Sequence, residues 1–498
     1  MKKIYLLLVV LVAMPLVSRA QTWQYTGNMN SVHWLAEMVA LDDQTALIVG
    51  GFDDQFQALS TTELYDPSTG TWARSGNLNV ARAYPKLVKL SNGHVLSTGG
   101  AVDGNGSVTD VVEDYDPTTM TWTVVGHLLN GRMVATATLL QDGRILIAGG
   151  LTSSGTTASC ELYDPVSNTS VMAGSMHQNR YEHQAVLMND GRVLVTGGRD
   201  GGSGSNYFNE CEVYDPSTNS WTVITSMFQA RMEAIMACFS DNTVLAAAGR
   251  NSPSSSAPGS EILDPSTMLW QPTAPVHEPV CWAGSIQFPD DRFMITGGIA
   301  SSAWQDLYGL DDITSAQCEW YDRSLQQWNF APQLNLSRCR HCAVYLHPTH
   351  VDGVPSEVLL VAGGQMGSAT QDSSGVHTYT PGFTNTSEIL DVTPAALKAY
   401  MKMPINAAVG PDRNVALSFN ATYAADGSIV AQYVSDGTPV TLEVMSVDGK
   451  TAKQIEGAPS AAGLNSFVIP TSDLSNGTYF IRYVNGSQRS IFKFFVSK

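Results

Sequence analysis

The stretch VATATLLQDGRILIAGG, residues 134–150, contains two apolar runs joined by a tight turn and ends in a glycine pair. The Asp142-Gly143 dipeptide of its turn is a strong β-hairpin signal between two such runs. A third run follows as ELYDP at residues 161–165, where Asp-Pro starts a further turn. The segment therefore predicts three consecutive strands, named a, b and c here.

The glycine pair recurs along the chain, most often at intervals of 48 to 51 residues. The copies stand at 50–51, 99–100, 149–150, 197–198, 297–298 and 363–364, with Ala248-Gly249 as a variant. A fourth strand, d, carries a tryptophan at 72, 122, 221, 270 and 328, which Ser170 replaces in the third copy. A fixed period of this length with four strands per repeat predicts an all-β propeller of seven blades.

The two ends of the repeat array predict how the ring closes. Thr22-Trp23 matches the d-strand pattern of Thr71-Trp72, whereas no tryptophan follows the last c-strand segment, residues 388–391. An N-terminal d strand beside residues 388–392 would complete the seventh blade and remove the exposed sheet edges. The propeller is therefore predicted to span residues 21–392.

Charge and the N-terminus restrict the location and the partners of the protein. The 498 residues carry a formal charge of −18 with a pI near 4.8, which disfavours nucleic acid as a partner. Residues 1–20 have a charged start with Lys2 and Lys3, a short apolar run and a small-x-small site ending at Ala20. We expect a signal peptide, a protein that is secreted or held on the outer cell surface, and no transmembrane segment.

The repeat resembles that of the kelch family, specifically the secreted bacterial branch that includes the galactose oxidase propeller and sialate epimerases. The resemblance rests on the seven glycine-pair copies and covers about residues 22–392. It implies the propeller fold. Propellers serve binding, scaffolding and catalysis alike, so the fold alone does not imply one of these functions.

Beyond residue 392 the period stops. Residues 393–413 contain three prolines and are predicted to be a linker, and the alternating pattern of residues 414–498 predicts a small β-sandwich. The segments DGK at 448–450 and LSNGTYFIR at 474–482 resemble the C-terminal sorting domain of the type IX secretion pathway, although the usual Tyr-Pro-Asn-Pro opening is missing. That resemblance implies contact with secretion machinery; a purely structural sandwich is the alternative.

Arginine recurs 18 residues before the second glycine of the pair, where strand a starts at the face formed by the d–a and b–c loops. This position is occupied by His33, Arg82, Arg132, Arg180, Arg231, Val280 and, displaced by a longer hairpin, Arg338. The five arginines are predicted to ring the channel mouth and bind an extracellular glycan or another acidic ligand, because a guanidinium binds carboxylates in bidentate fashion. For any single arginine, however, pairing with the glutamate that recurs in strand c as part of the architecture is the favoured interpretation.

Two b–c loops depart from the repeat by their length. Residues 299–317 and 365–386 are predicted to wall the mouth beside Trp282. There Trp282, Trp304 and Tyr308 could stack on sugar faces, or pack the loops down.

No metal or cofactor is predicted. The cluster Cys339-Arg340-His341-Cys342 has some metal character, but His347 and His350 fall on the opposite face, so a disulfide or burial is favoured. Copper-radical oxidation, as in galactose oxidase, needs a Tyr-His dipeptide and a histidine from the C-terminal domain. This chain has no such dipeptide and its last histidine is His377, so that chemistry is disfavoured.

Three functions remain open from the sequence. The favoured one is a binding module for an extracellular glycan or acidic ligand. The alternative is a metal-independent sugar-modifying enzyme of epimerase or lyase type, with Tyr181, Glu182, His183 and Glu233 as acid–base candidates. For His183, a hydrogen-bonded core histidine is the favoured interpretation. The third is a structural surface protein.

Overall fold

A computed structural model gives the architecture of most of the chain. Two compact units result, Met1–Met401 and Lys402–Lys498. The structure describes residues 22–201, 206–252, 255–300, 313–351, 354–371, 377–392, 419–423, 429–435, 440–446, 451–455, 463–470, 474, 477–485 and 488–496. Trp304, Tyr308, the predicted signal peptide and the predicted linker lie outside these residues. Within the described ranges, no helix is long and apolar enough to span a membrane.

The first unit consists of seven four-stranded antiparallel sheets, in which strands a to d are hydrogen-bonded in that order. β1 (Gln24–Tyr25) comes first in the chain. Blade 1 contains β2 (Glu37–Ala40), β3 (Ala46–Val49), β4 (Thr62–Asp66) and β5 (Thr71–Arg74). Blade 2 contains β6 (Lys86–Lys89), β7 (Val95–Thr98), β8 (Val111–Asp116) and β9 (Thr121–His127). Blade 3 contains β10 (Thr136–Leu139), β11 (Ile145–Ala148), the small ribbon β12 (Leu151–Thr152) and β13 (Gly155–Thr156), β14 (Cys160–Asp164) and β15 (Thr169–Met172).

The remaining blades have the same order with longer insertions. Blade 4 contains β16 (Gln184–Leu187), β17 (Val193–Thr196), β18 (Cys211–Asp215) and β19 (Ser220–Ile224). Blade 5 contains β20 (Ile235–Cys238), β21 (Val244–Ala247), the ribbon β22 (Arg250–Ser252) and β23 (Ser255–Ser256), β24 (Ser260–Asp264) and β25 (Leu269–Thr273). Blade 6 contains β26 (Val280–Cys281), β27 (Gly284–Gln287), β28 (Phe293–Thr296), β29 (Ile299–Ala300), β30 (Ile313–Thr314), β31 (Cys318–Asp322) and β32 (Gln327–Ala331). Blade 7 contains β33 (Cys342–Val351), β34 (Val354–Ala362), the hairpin β35 (Gln365–Gln371) and β36 (His377–Phe383), and β37 (Ser387–Asp391).

The N-terminal strand closes the ring, as predicted. β1 pairs antiparallel with β37, so that Gln24 lies opposite Ile389 and Tyr25 opposite Glu388. Trp23 just before it is 1% exposed and donates its indole N–H to the Pro332 carbonyl at 2.9 Å. The seven-bladed, all-β prediction is therefore confirmed, with strand d of blade 7 supplied from the other end of the propeller sequence.

Apolar layers between neighbouring blades form the core. Strand b of each of blades 1 to 6 is buried along its whole length, which explains its continuous apolar run. The tyrosine of strand c packs against the tryptophan of strand d, as in the Tyr115–Trp122 pair with ring centroids 5.1 Å apart. In blade 3, where Ser170 replaces the tryptophan, its hydroxyl donates to Glu161 at 2.8 Å. The layers between blades thus account for the spacing of the aromatic residues in each repeat.

The glycine pairs form the joints between blades. In every blade the N–H of the second residue of the pair donates to a carbonyl of the next blade, as Gly198 does to Arg231 at 2.7 Å. Gly197 has a φ of +63°, and a Cβ placed on it would lie 2.1 Å from that same Arg231 oxygen. Glycine adopts this backbone angle without strain and allows so close an approach, which explains the Gly-Gly of six repeats. In blade 5 Ala248 takes the first position with a similar φ of +53°.

The second unit contains two antiparallel sheets. One has the order β38 (Phe419–Tyr423), β39 (Ile429–Ser435), β42 (Gly463–Ile469), and the other β41 (Thr451–Ile455), β40 (Val440–Ser446), β43 (Gly477–Asn485), β44 (Gln488–Val496). The sequence pattern had indicated all of these strands except Thr451–Ile455. Leu442, Val444 and Ile481 are fully buried in this unit. Packing of the two sheets as a sandwich stays a prediction.

Candidate functional site: the channel mouth

The five repeat arginines are buried ion-pair residues. Each guanidinium contacts the strand-c glutamate of its own blade and is at most 1% exposed. The pairs are Arg82–Glu113 at 2.7 Å, Arg132–Glu161 at 2.5 Å, Arg180–Glu212 at 2.9 Å, Arg231–Glu261 at 3.0 Å and Arg338–Glu388 at 2.8 Å. In blade 1, His33 takes the same place and its Nε2 lies 3.3 Å from Glu63.

The Arg180 pair shows what this arrangement holds in place. Arg180 Nη2 donates to Glu212, and its Nη1 donates to the Gly197 carbonyl at 2.8 Å. The same carboxylate accepts the backbone N–H groups of His177 at 2.7 Å and Gln178 at 3.2 Å. Burial lowers the pKa of Arg180, and the charge of Glu212 opposes that shift. The pair therefore anchors the incoming d–a loop to strand c and to the glycine joint.

The repeat arginines were predicted either to ring the channel mouth or to pair with the strand-c glutamates. Their guanidinium groups contact glutamates and carbonyls at the glycine pairs within the blades. The alternative interpretation, pairing as architecture, describes their contacts. The mouth is built from the residues that lie two positions further along the chain.

One residue per blade at that position has a left-handed backbone, with φ between 49° and 55°. These seven residues, called the mouth ring here, are Leu35, Tyr84, Val134, Glu182, Glu233, Trp282 and Arg340. Backbone hydrogen bonds join neighbouring members: Tyr84 N–H to Leu35, Glu233 N–H to Glu182 and Arg340 N–H to Trp282, at 2.8 to 2.9 Å. None is glycine, so each conformation costs about 1 kcal/mol that the surrounding joints must offset.

Arg340 is a half-buried arginine, unlike the five fully buried repeat arginines. Its guanidinium carbon lies 4.0 Å from the centroid of the Trp282 ring and 5.9 Å from that of Trp34. Its Nη1 donates to Gln365 Oε1 at a long 3.4 Å, and its Nε has no partner. Within the residues that the structure describes, no carboxylate lies within ion-pair distance of it. A half-buried cation stacked on tryptophan in this way offers its donors to an anion.

Two carboxylates follow each other in the ring. Glu182 is held by Arg199, whose Nε lies 2.5 Å from its Oε2 and whose guanidinium stacks on Tyr181 at 4.8 Å. Burial and the nearby charge of Glu182 raise the pKa of Glu233 to about 7, while Lys86, Arg340 and Arg199 oppose the shift. Glu233 therefore exchanges its proton near neutral pH, which is where a general acid or base works best.

The other sequence-predicted acid–base candidates lie elsewhere. His183 is 3% exposed, bonds to Thr136 Oγ1 at 3.2 Å through Nε2, and packs against Gly149 of the blade joint. Burial and the charge of Arg180 lower its pKa to about 3, so the ring is neutral. Tyr181 is 9% exposed beneath Arg199, and burial raises its pKa. The structure thus places Glu182, Glu233 and Trp282 in the mouth ring and His183 in the inter-blade packing.

The described side chains offer no donor set for a copper ion of the galactose oxidase type. Across the described ranges, no group of three His, Cys, Asp or Glu side chains is arranged to hold a metal. His341 bonds to Thr296 Oγ1 at 2.9 Å, and burial lowers its pKa to about 3. The residues present at the mouth do not fit that group, and the chemistry below makes no use of it.

Comparisons with known proteins give the following results. Residues 182–228 match the kelch motif. A fungal alcohol oxidase of the AA5 family, solved in complex with copper, is similar with a TM-score of 0.58 and 16% identity over 96% of this chain and 100% of that one. The structure of YjhT is similar at a TM-score of 0.41 and 14% identity over 71% and 95% of the two chains. No curated protein matches the sequence. The chain therefore carries a kelch motif within a seven-bladed β-propeller, and its fold is similar to that of the AA5 oxidase.

Proposed function

We propose that this protein is a secreted or cell-surface binding module whose mouth ring holds an acidic sugar of an extracellular glycan. The observation that carries the proposal is Arg340, stacked on Trp282 at 4.0 Å and without a carboxylate partner among the described residues. Export through residues 1–20 and 414–498 is part of the proposal. Detection of the protein outside the cell, and its loss there when 414–498 is deleted, tests that part.

The ring supplies the contacts that an acidic sugar requires. Arg340 binds the sugar carboxylate, and Trp282 packs against the apolar face of the sugar ring. Glu182 and Glu233 accept hydrogen bonds from the sugar hydroxyls. Because the chain has a net charge of −18, long-range forces repel an anionic ligand, and recognition depends on this local cation.

Discrimination between an acidic sugar and its neutral analogue is the first expected result. In calorimetric titration of the full chain, D-galacturonic acid or N-acetylneuraminic acid should bind at least about tenfold more tightly than D-galactose. D-galactose has no carboxylate and therefore lacks the charged hydrogen-bonded contact with Arg340. Trp282→Ala should weaken acidic-sugar binding by about tenfold, because it removes the stacking surface and the support of Arg340. Phe228→Ala, at a phenylalanine 65% exposed and outside the ring, is the control. Equal binding of D-galactose would contradict the proposal.

The alternative proposal is a metal-independent epimerase or lyase, and the carboxylate pair favours it. A uronic acid held by Arg340 would present the proton next to its carboxylate to the ring. Glu233, with a pKa raised to about 7 by burial and by Glu182, is able to take up that proton. An epimer forms when a proton is returned to the opposite face of the same carbon. An unsaturated sugar forms when the glycosidic C–O bond at the neighbouring carbon breaks and the departing oxygen takes up a proton. Formation of an epimer or of an unsaturated sugar from D-galacturonate oligomers by the wild type, and its absence in Glu233→Gln, would support catalysis. If the wild type left the sugar unchanged, the enzyme proposal would be wrong and the binding proposal would remain.

The shifted pKa of Glu233 predicts a specific pH dependence of stability. Its folded-state pKa of about 7 exceeds the ordinary 4.5, so the folded state binds more protons in this interval and loses stability as the pH rises through it. We compare the melting temperatures of the wild type and of Glu233→Gln at each pH. The wild-type value minus the variant value should fall by a few degrees between about pH 5 and about pH 8. Glu210→Gln, at an exposed glutamate, is the control for the loss of a carboxylate without burial. A difference for Glu233→Gln that stays constant over this pH range would contradict the prediction.

A further inference from the structure

Three aromatic side chains pack together beside the mouth ring, and Phe56 is the most exposed of them. The Trp34 and Phe383 rings are stacked with centroids 5.2 Å apart, and Phe56 meets both edge-on, at 5.2 Å from Trp34 and 5.7 Å from Phe383. Trp34 is 5% exposed and Phe56 51%. These three residues are called the aromatic ledge here. It joins blade 1 to the long b–c loop of blade 7.

The ledge is continuous with the mouth site. The guanidinium carbon of Arg340 lies 5.9 Å from the centroid of the Trp34 ring and 4.0 Å from that of the Trp282 ring. The Trp34 ring therefore lies between the Arg340 cation and Phe56. Gln365, which accepts from Arg340, pairs in the β35–β36 hairpin with Phe383. The exposed Phe56 ring therefore lies one aromatic side chain beyond the Arg340 cation.

Phe56 is held exposed by a strained backbone. Its φ is +60°, which disfavours any residue with a side chain and a bulky one most of all. Asp53 maintains the loop by accepting the N–H groups of Gln55 at 2.9 Å and Gln57 at 2.8 Å through its side chain, and that of Phe56 at 3.2 Å through its carbonyl. A glycine would adopt this angle without strain and would not expose half of an aromatic ring. The backbone angle therefore does not select phenylalanine; one part of its ring packs against Trp34 and Phe383, and about half of it stays exposed.

The chemistry of the ledge favours a sugar over a peptide. Backbone groups beside it are already paired: Trp34 with Phe52 in both directions, and Asp53 N–H with the Gln57 carbonyl at 3.0 Å. An extended peptide would find few main-chain partners there. An exposed aromatic face needs none, because it contacts the C–H groups of a sugar ring.

We propose that the aromatic ledge is a second subsite, which stacks the next ring of an acidic oligosaccharide whose acidic end unit is held by Arg340. This inference rests on the proposed function of the mouth ring. It narrows the ligand from an acidic sugar to an acidic oligosaccharide.

Titration of the full chain with D-galacturonic acid and with its trimer tests the subsite. The trimer should bind about tenfold more tightly than the monomer, and Phe56→Ala should remove that gain while monomer affinity stays unchanged. Phe56→Gly should do the same and keep the fold, since glycine relieves the strained φ. Phe228→Ala, which truncates an exposed phenylalanine outside the ledge, should keep the gain.

Each outcome decides the inference. A trimer no tighter than the monomer, or a gain that survives in both Phe56 variants, overturns the ledge subsite and leaves the proposed function standing. Absence of monomer binding overturns the proposed function and the subsite together. Phe56-dependent binding of an acidic peptide such as Asp-Phe-Asp without trimer binding would assign the ledge to a peptide and overturn the inference.

Discussion

Replacement of Arg180 by methionine is expected to lower the melting temperature of the propeller by about 5–10 °C, which corresponds to about 3–5 kcal/mol. The substitution leaves Glu212 buried with its charge, 1% exposed, and removes the fork that connects strand c with the Gly197 carbonyl. A buried carboxylate that keeps its backbone donors but loses its cationic partner is among the few single changes with effects of this size. Differential scanning calorimetry measures it directly.

Arg192 offers the matched control. It forms a comparable ion pair with Asp190 at 2.7 Å, but its side chain is 33% exposed in a surface turn. Arg192→Met should therefore change stability by less than about 1 kcal/mol. If Arg180→Met retained wild-type stability and instead lost acidic-sugar binding, the repeat arginines would be ligand residues, as first expected from the sequence.

Replacement of Arg340 by methionine is expected to weaken binding of D-galacturonic acid by about 10- to 100-fold with little change in the melting temperature. The substitution leaves no carboxylate of the described residues without its cation, and the methionine side chain retains an apolar contact with the Trp282 ring. Arg340→Lys should recover part of the affinity, because the charge returns without the bidentate fork.

Arg144→Met is the control for this second prediction. Arg144 pairs with Asp142 at 2.6 Å in an exposed turn between strands a and b, at the end of these strands away from the mouth ring. The Arg144→Met variant should bind D-galacturonic acid with the affinity of the wild type. Wild-type affinity in Arg340→Met would exclude the mouth ring as the binding site.

The fold was predictable because its signals repeat. Six glycine pairs and the Ala248-Gly249 variant, each after an apolar run, specify strand order and blade number, and Trp23 with the segment around Ile389 specifies closure. These features depend on local backbone geometry and on packing between neighbouring blades. Both recur in each repeat, so an irregular copy such as Ala248-Gly249 does not obscure the pattern.

The candidate site was only partly predictable. The repeat identifies Arg180 and its equivalents at the channel end of strand a, but the direction of each side chain depends on a glutamate about 30 residues later, as Glu212 shows. The mouth-ring positions share a backbone angle and no residue type, from Leu35 to Arg340. A sequence pattern cannot show a property of this kind.

The aromatic ledge was not predicted at all. Trp34 and Phe383 are stacked although nearly 350 residues separate them along the chain, because ring closure places blade 1 beside blade 7. The long loop of residues 365–386 was expected to wall the mouth, and the residues of it that the structure describes contain the β35–β36 hairpin. Its aromatic partner in blade 1 lies within an ordinary repeat and carries no sequence signal.

The central claim is that the mouth ring, and not the repeat arginines, holds an acidic ligand. A crystal structure of the full chain soaked with D-galacturonic acid tests it most directly. We expect the sugar carboxylate within hydrogen-bond distance of the Arg340 guanidinium, with the sugar ring against Trp282 and the Arg180–Glu212 pair unchanged. A sugar bound to Arg180 or at the outer faces of the blades, with the mouth ring vacant at saturating concentration, would contradict the account.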